Sequence, residues 1–261
     1  VRYLRLLGLQ LRTSLLLALQ YRVDFLVDGA LSALFTATAV VPLLVVFERR
    51  PSLEGWTFGE ALVVTGWFTL LQGVVEGAIN PSLTTVVEHI RKGTLDFVLL
   101  KPADAQFLVS TQRFLPWRAT ALVHAIVLFA LAFRHLGRLP TMLDVGLSLL
   151  MLALAIAVVY SLWILTVSAA FYVVRVDNLT YLFGSLFDFA RWPASMFRGI
   201  VAFVFTFVLP LALMTTYPAE ALLGRLSAGT LGGALAGAGA FAALARWVWS
   251  RSIARYTSAS S

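Results

Sequence analysis

The sequence predicts an all-α integral membrane protein of six transmembrane helices, with an N-terminal interfacial helix and a short cytoplasmic helix between helices 2 and 3. Three observations carry this. Of 261 residues, 60% are apolar and 13% charged, against roughly 25% charged in a soluble domain, so the chain could not cover itself with polar surface in water. Six stretches are mostly apolar and near the roughly 20 residues that a helix needs to cross hydrocarbon. The polar breaks between them are short, none beyond about thirty residues, whereas an independent domain needs at least about fifty. Continuous apolar runs such as 147–159 exclude a β-barrel, which alternates apolar and polar residues over segments of about ten.

Residues 1–22 place Leu4, Leu7, Leu11 and Leu15 at near-helical spacing, with Arg5 and Arg12 on another face. That pattern describes an interfacial helix, either a simple anchor or an elbow leading into the first span. The first span, 25–47, contains Ala37-Thr38-Ala39, which resembles a signal cleavage site. Apolar sequence continues past it to Phe47, too long for a signal core, so an uncleaved anchor is expected. The remaining spans are expected at 60–79, 107–133, 143–172, 199–217 and 229–249.

Between the second and third spans lies a polar segment, 80–106. Asn80 followed by Pro81 suits a helix start. Leu83, Val86, Val87 and Ile90 line one face, leaving Glu88, Arg91 and Lys92 to face elsewhere, and Gly93 suits the left-handed cap position. A second apolar element, 94–100, ends before Pro102. Two short helices joined at Gly93 therefore form a ledge, which is either a connector covering the bundle or a docking surface. Leu95, Phe97, Val98, Leu99 and Leu100 beside Arg91, Lys92, Asp96, Lys101 and Asp104 combine apolar anchors with a charged rim, as partner patches do.

A second polar interruption, 175–198, carries Asp177, Asp188 and Arg191 and is expected on the cytoplasmic side or dipping into the bilayer. The last loop, 217–228, carries Pro218, Glu220 and Arg225 and is expected outside, and its sequence does not show whether it re-enters the membrane. In the sixth span Gly232, Gly233, Gly237 and Gly239 allow close helix approach, and the Gly233–Gly237 pair reads as ordinary packing within the chain rather than a dimer seam.

Arg2, Arg5, Arg12 and Arg22 at one end and Arg246, Arg251 and Arg255 at the other place both termini in the cytoplasm by the charge bias of membrane loops. An even number of spans agrees. The formal net charge of +7 thus reports orientation rather than nucleic-acid binding. The basic stretch 134–138 falls outside in this arrangement and departs from the rule.

The chain has no cysteine and no GxxxxGK[ST] phosphate cradle. It is therefore not expected to be an enzyme, and if transport is ATP-driven another chain must supply hydrolysis. His89, His124 and His135 fall in separate segments without ligand spacing; no bound metal or cofactor is expected. His124, inside the third span, reads as a hydrogen bond between helices rather than a proton site. Gln72, Glu76 and Asn80 stand at one-turn spacing on one helix face and are candidate pathway residues, with Glu76 alternatively at the interface. Gly184-Ser185 lacks a partnered His, and neither internal repeats nor midplane charges suggest an ion-coupled carrier.

The run 88–102 resembles the cytoplasmic segment of bacterial ABC-transporter permeases of the type-two exporter class, in which a Gly, a Leu-Asp pair, a Leu and a Lys-Pro recur in that order. Here they are Gly93, Leu95-Asp96, Leu99 and Lys101-Pro102. Weaker likeness lies at Arg191-Trp192-Pro193, Pro210, Tyr217-Pro218 and the tail 255–259. The resemblance implies a single permease domain over 1–261 and a coupling helix that contacts a separate cytoplasmic ABC ATPase, where ATP and Mg bind. It also implies a second permease, the same or a related chain, in a bacterial inner membrane. The coupling interface then falls on Val86, Val87, Glu88, Ile90, Arg91, Lys92, Gly93, Leu95, Asp96, Leu99, Lys101 and Pro102. The alternative function is a non-transporting membrane scaffold or assembly factor using the same ledge.

Overall fold

A computed structural model describes residues 2–20, 22–172 and 184–256. Among these, five helices are long and apolar enough to cross a membrane: Leu26–Arg49, Phe58–Arg91, Pro116–Leu136, Met142–Ala169 and Ala228–Ala254. The bundle has a ledge end, formed by 80–106, and a far end, where the second spanning helix begins.

Helix α1 (Arg2–Gln20) precedes α2 (Arg22–Arg49), which packs loosely, with 6% of its most apolar window buried. Helix α3 (Phe58–Val74) opens on a capping box in which the Thr57 N–H donates to Glu60 Oε2 at 2.9 Å. It does not stop at 79. A π turn, Val75–Ile79, carries it into α4 (Asn80–Arg91), the Asn80 N–H reaching Val75 O. The expected separate helix starting at Asn80-Pro81 is thus a continuation, and Asn80 caps nothing. Proline at 81 cannot donate to the Gly77 carbonyl one turn back. That carbonyl instead accepts the Leu115 N–H at 2.8 Å, which spares an unpaired acceptor at membrane depth.

After α5 (Asp96–Leu99) and α6 (Ala105–Thr111), the chain breaks at 112–115 and restarts through a 3₁₀ turn, Pro116–Ala119, into α7 (Thr120–Leu136). The third span therefore begins near Pro116, not at 107. Ser82 fixes the break: its Oγ donates to Arg113 O at 2.7 Å and accepts the Arg113 N–H at 3.1 Å. Helix α8 (Met142–Ala169) follows.

The expected fifth span, 199–217, is not a crossing helix. Helix α9 (Gly199–Phe203) enters from the far end and runs through a π turn, Val204–Val208, to Pro210. A second π turn, Ala212–Thr216, then returns the chain through α10 (Tyr217–Leu222). Both ends of this hairpin lie at the far end: Arg198 pairs with Glu54 before α3, while Arg225 pairs with Glu60 and Leu223 O accepts from Arg138 at 3.0 Å. Pro210 interrupts the helix because it has no N–H and its ring collides with the preceding turn. The broken backbone is enclosed by protein, with Leu209, Leu211 and Met214 in the core and Thr215 Oγ1 donating to Ala190 O at 2.6 Å. Residues 217–222, expected in an outer loop, belong to this hairpin.

Of the polar connector expected at 175–198, residues 175–183 lie outside the described residues. The rest runs inside the bundle to the far end, away from the ledge side that was one of its two expected courses. Phe187 meets Phe68 with ring centroids 5.4 Å apart, and Trp56 Nε1 donates to Ser195 Oγ at 3.1 Å. Helix α11 (Ala228–Ala254) closes the fold against α8.

The most extensive helix pair is α3 with α7, drawn together by glycines on α3. A Cβ at Gly66 would stand 2.6 Å from the Phe129 ring, and one at Gly73 would stand 2.4 Å from Ala121 Cβ. The Gly233–Gly237 pair of α11 does no such packing. A Cβ at Gly233 would meet nothing within 4 Å, and one at Gly237 only Leu213 at 3.8 Å.

Candidate functional site

The ledge is built from local rules. Helix α4 ends in a Schellman motif at Gly93 (φ 66°): the Thr94 N–H donates to His89 O at 2.9 Å and the Gly93 N–H to Ile90 O at 3.3 Å. His89 Nδ1 and Thr94 Oγ1 lie 2.8 Å apart across the same turn. Leu95 then starts a sharp reversal into α5, and Asp104 caps α6 by accepting the Phe107 N–H at 3.0 Å.

Reversal at Gly93 divides the predicted docking residues in two. Val86, Val87, Leu95 and Val98 point into the core, and Ile90 and Leu99 pack against it. Glu88, Arg91, Lys92, Lys101 and Pro102 are exposed. The outward apolar anchors are Phe97, 71% exposed, and Leu100, 81% exposed. The apolar face read as a single docking patch is thus two faces, because α4 and α5 need buried leucines and valines to hold the ledge to the spans. Glu88 and Lys92 pair at 3.3 Å on the exposed side. Gly93 is the hinge of the turn, and Asp96 lies beside Tyr256, whose hydroxyl pKa is raised by burial and further by the Asp96 charge.

Two distant elements clamp the ledge. From α1, Arg2 donates to Pro102 O, Tyr3 Oη accepts the Asp104 N–H at 3.2 Å, and the Tyr3 and Phe107 rings meet edge-on at 4.8 Å. Further along, Ser14 Oγ accepts the Phe114 N–H at 3.1 Å. From α11, Arg246 forms a forked contact with Asp104 Oδ2 at 2.7 Å and Gln106 Oε1 at 2.8 Å. The Arg246 hydrogen bond holds the Asp104 carboxyl below the usual carboxylate range.

Above the ledge, a cavity of about 470 Å³ opens between α2, α3 and the start of α7. Gln72 and Glu76 line it; Gln72 Nε2 donates to Glu76 Oε1 at 3.0 Å. Arg118 bridges Glu76 Oε2 at 2.8 Å and Asp28 Oδ2 at 3.5 Å, and Asp188 and Arg191 complete a charged wall. Asn80 is not there. The π turn adds a residue to the helical repeat and rotates Asn80 toward α8, where its Oδ1 accepts from Trp163 Nε1 at 3.3 Å. Sequence reasoning missed Arg118 and Asp28. An arginine inside the expected third span was the available signal, since ionisable groups at membrane depth face cavities or partners. His124 does join two helices, its Nδ1 lying 3.3 Å from Ser32 Oγ of α2. Among the described residues no three His, Asp or Glu side chains converge as a metal site requires.

A family model described as ABC-2 family transporter protein matches residues 33–260. No curated protein and no solved structure matches the chain.

Proposed function

This chain belongs to the ABC-2 transporter family, and from that premise we propose that it is the membrane half of an ATP-driven exporter whose ledge docks a separate ABC ATPase. As a multi-pass permease of that family it works in a membrane with ABC ATPase subunits, and on our proposal those subunits bind the ATP and Mg. In this reading both termini and the ledge face the cytoplasm of a bacterial cell, and a second permease, the same or a related chain, faces α2 and completes the pathway.

The observation that carries the proposal is the ledge's continuity with the second span. Phe58–Arg91 is one helix of 34 residues, so a force on the exposed surface around Phe97 and Leu100 crosses only the short hydrogen-bonded turn at Gly93 before it passes along α4 into α3. The compliant point is the π turn Val75–Ile79, a geometry that recurs at functional sites. It sits where Glu76 meets Arg118. Closure of the ATPase would tilt the ledge, strain this turn and change the Gln72–Glu76–Arg118 wall of the cavity. Clamping by Arg2, Tyr3 and Arg246 makes α1 and α11 move with it.

Affinity purification of tagged chain from gently solubilised native membranes, followed by mass spectrometry, tests this. A P-loop ATPase is expected to copurify and to be lost from Phe97→Asp/Leu100→Asp, both of which lie on the surface and leave the core intact. An ATPase retained by that variant would move the docking surface off the ledge. Capture of a different partner, with no ATPase, would favour the scaffold.

A further inference from the structure

On the far-end half of the bundle, a groove of about 810 Å³ runs between α7 and the start of α8. Leu122, Ile126 and Phe129 recur on one face of α7 and form its long wall, facing Leu149 of α8. This half of the groove lies along two spanning helices and so at hydrocarbon depth. Its mouth is different: Arg134, in the last turn of α7, and Arg138, just past it, both line the groove. Among the described residues neither arginine forms a salt bridge. Arg138 gives one N–H to Leu223 O, and Asp144, whose charge reaches Arg138, is held by Thr141 Oγ1 at 2.7 Å. Cationic capacity therefore remains at the mouth.

We propose that this groove is a site for one anionic phospholipid, its acyl chain along α7 and its phosphate between Arg134 and Arg138. Charge complementarity selects the occupant. A neutral acyl chain would fit the wall alone, but two arginines at the level of the headgroups favour a phosphate that carries net charge. Trp67, 3% exposed, closes the floor of the groove against Phe129, their ring centroids 5.1 Å apart. The site also gives a reason for the basic stretch 134–138, which runs against the charge bias behind the proposed orientation. It is separate from the ledge and independent of ATPase docking.

Native mass spectrometry of the detergent-solubilised chain, titrated with phosphatidylglycerol or phosphatidylcholine of equal chain length, tests the proposal. One phosphatidylglycerol per chain is expected to bind more tightly than phosphatidylcholine. Arg134→Gln should weaken phosphatidylglycerol about fivefold, one cation's share near a membrane surface, and leave phosphatidylcholine unchanged. Ala130→Phe, which fills the groove from an exposed position, should displace both lipids without lowering thermal stability. Equal binding of the two lipids by the wild type, or phosphatidylglycerol binding that survives either substitution unchanged, would overturn the assignment.

Discussion

The second spanning helix, 58–91, carries four glycines and α11 carries five, yet the glycines act in opposite ways. On α3 and the π turn that follows it, Gly59, Gly66, Gly73 and Gly77 are spaced by seven, seven and four residues, and at each a Cβ would press within about 3 Å of α7 or the turn before it. On α11, Gly232, Gly233 and Gly239 face open space, Gly237 meets Leu213 at 3.8 Å, and Gly229 meets only the capping Ser227 Oγ two residues back, also at 3.8 Å. Both sets contain the GxxxG spacing, Gly73–Gly77 and Gly233–Gly237, yet the α11 set packs against almost nothing among the described residues. The α3 set makes the most extensive helix seam among the described residues. A small residue permits close approach but does not create it. What creates it is a partner surface shaped to fill the space, here Phe129, Ala121 and Leu136 of α7.

One identical substitution separates the two helices. Gly73→Ala puts a methyl 2.4 Å from Ala121 Cβ and should cost about 2 kcal/mol as an overpacked core site. The reading is a lower temperature midpoint for loss of monodisperse protein in detergent. An unchanged midpoint would mean that α3 and α7 are not pressed together. Removing charge at the ledge end of the same seam is expected to cost less. Arg118→Gln leaves Glu76 and Asp28 without their shared cation, worth about 1–2 kcal/mol for charge-assisted bonds that are partly solvated. It should also raise the reactivity of a cysteine placed at Ser32 on α2 toward a water-soluble thiol reagent, because α2 has little other anchorage.

On α11 the sign reverses. Gly233→Ala should be neutral or stabilising by up to about 0.5–1 kcal/mol, the helix preference of alanine over glycine with no contact to oppose it. A loss of stability there, or a change in oligomeric state, would show that a second chain uses this face.

The smallest effect concerns the clamp between α11 and the ledge. A carboxyl with a depressed pKa contributes stability that is present above its unfolded pKa and lost as pH falls through the folded value. Asp104 is such a group, chiefly through its hydrogen bond from Arg246. The clamp should therefore hold at neutral pH and weaken as pH drops below about 4. Arg246→Gln should flatten that part of the stability profile, and an unaltered acid limb would remove Asp104 as its source.

Much of the ledge was legible before any coordinates. The left-handed cap at Gly93 and the end of the second element before Pro102 depend on residues within a few positions of each other, so local rules sufficed. Which side of the ledge faces out was not legible. Leu95 and Leu100 are the same residue five positions apart, one fully buried and one 81% exposed, and only the position of the spans above distinguishes them.

Hydropathy, charge and family pattern thus determined by themselves that this is a multi-pass, helical ABC-2 permease with a structured polar segment after its second span. Those properties follow from the bilayer, which acts on each segment's composition wherever its neighbours lie. The tertiary structure alone decided that 199–222 turns back at Pro210, that Asn80 leaves the cavity and that Arg118 enters it. Apolar composition cannot tell a helix facing lipid from one facing protein, and a helical face cannot be projected through a π turn. Both depend on what packs against the chain from far away in sequence.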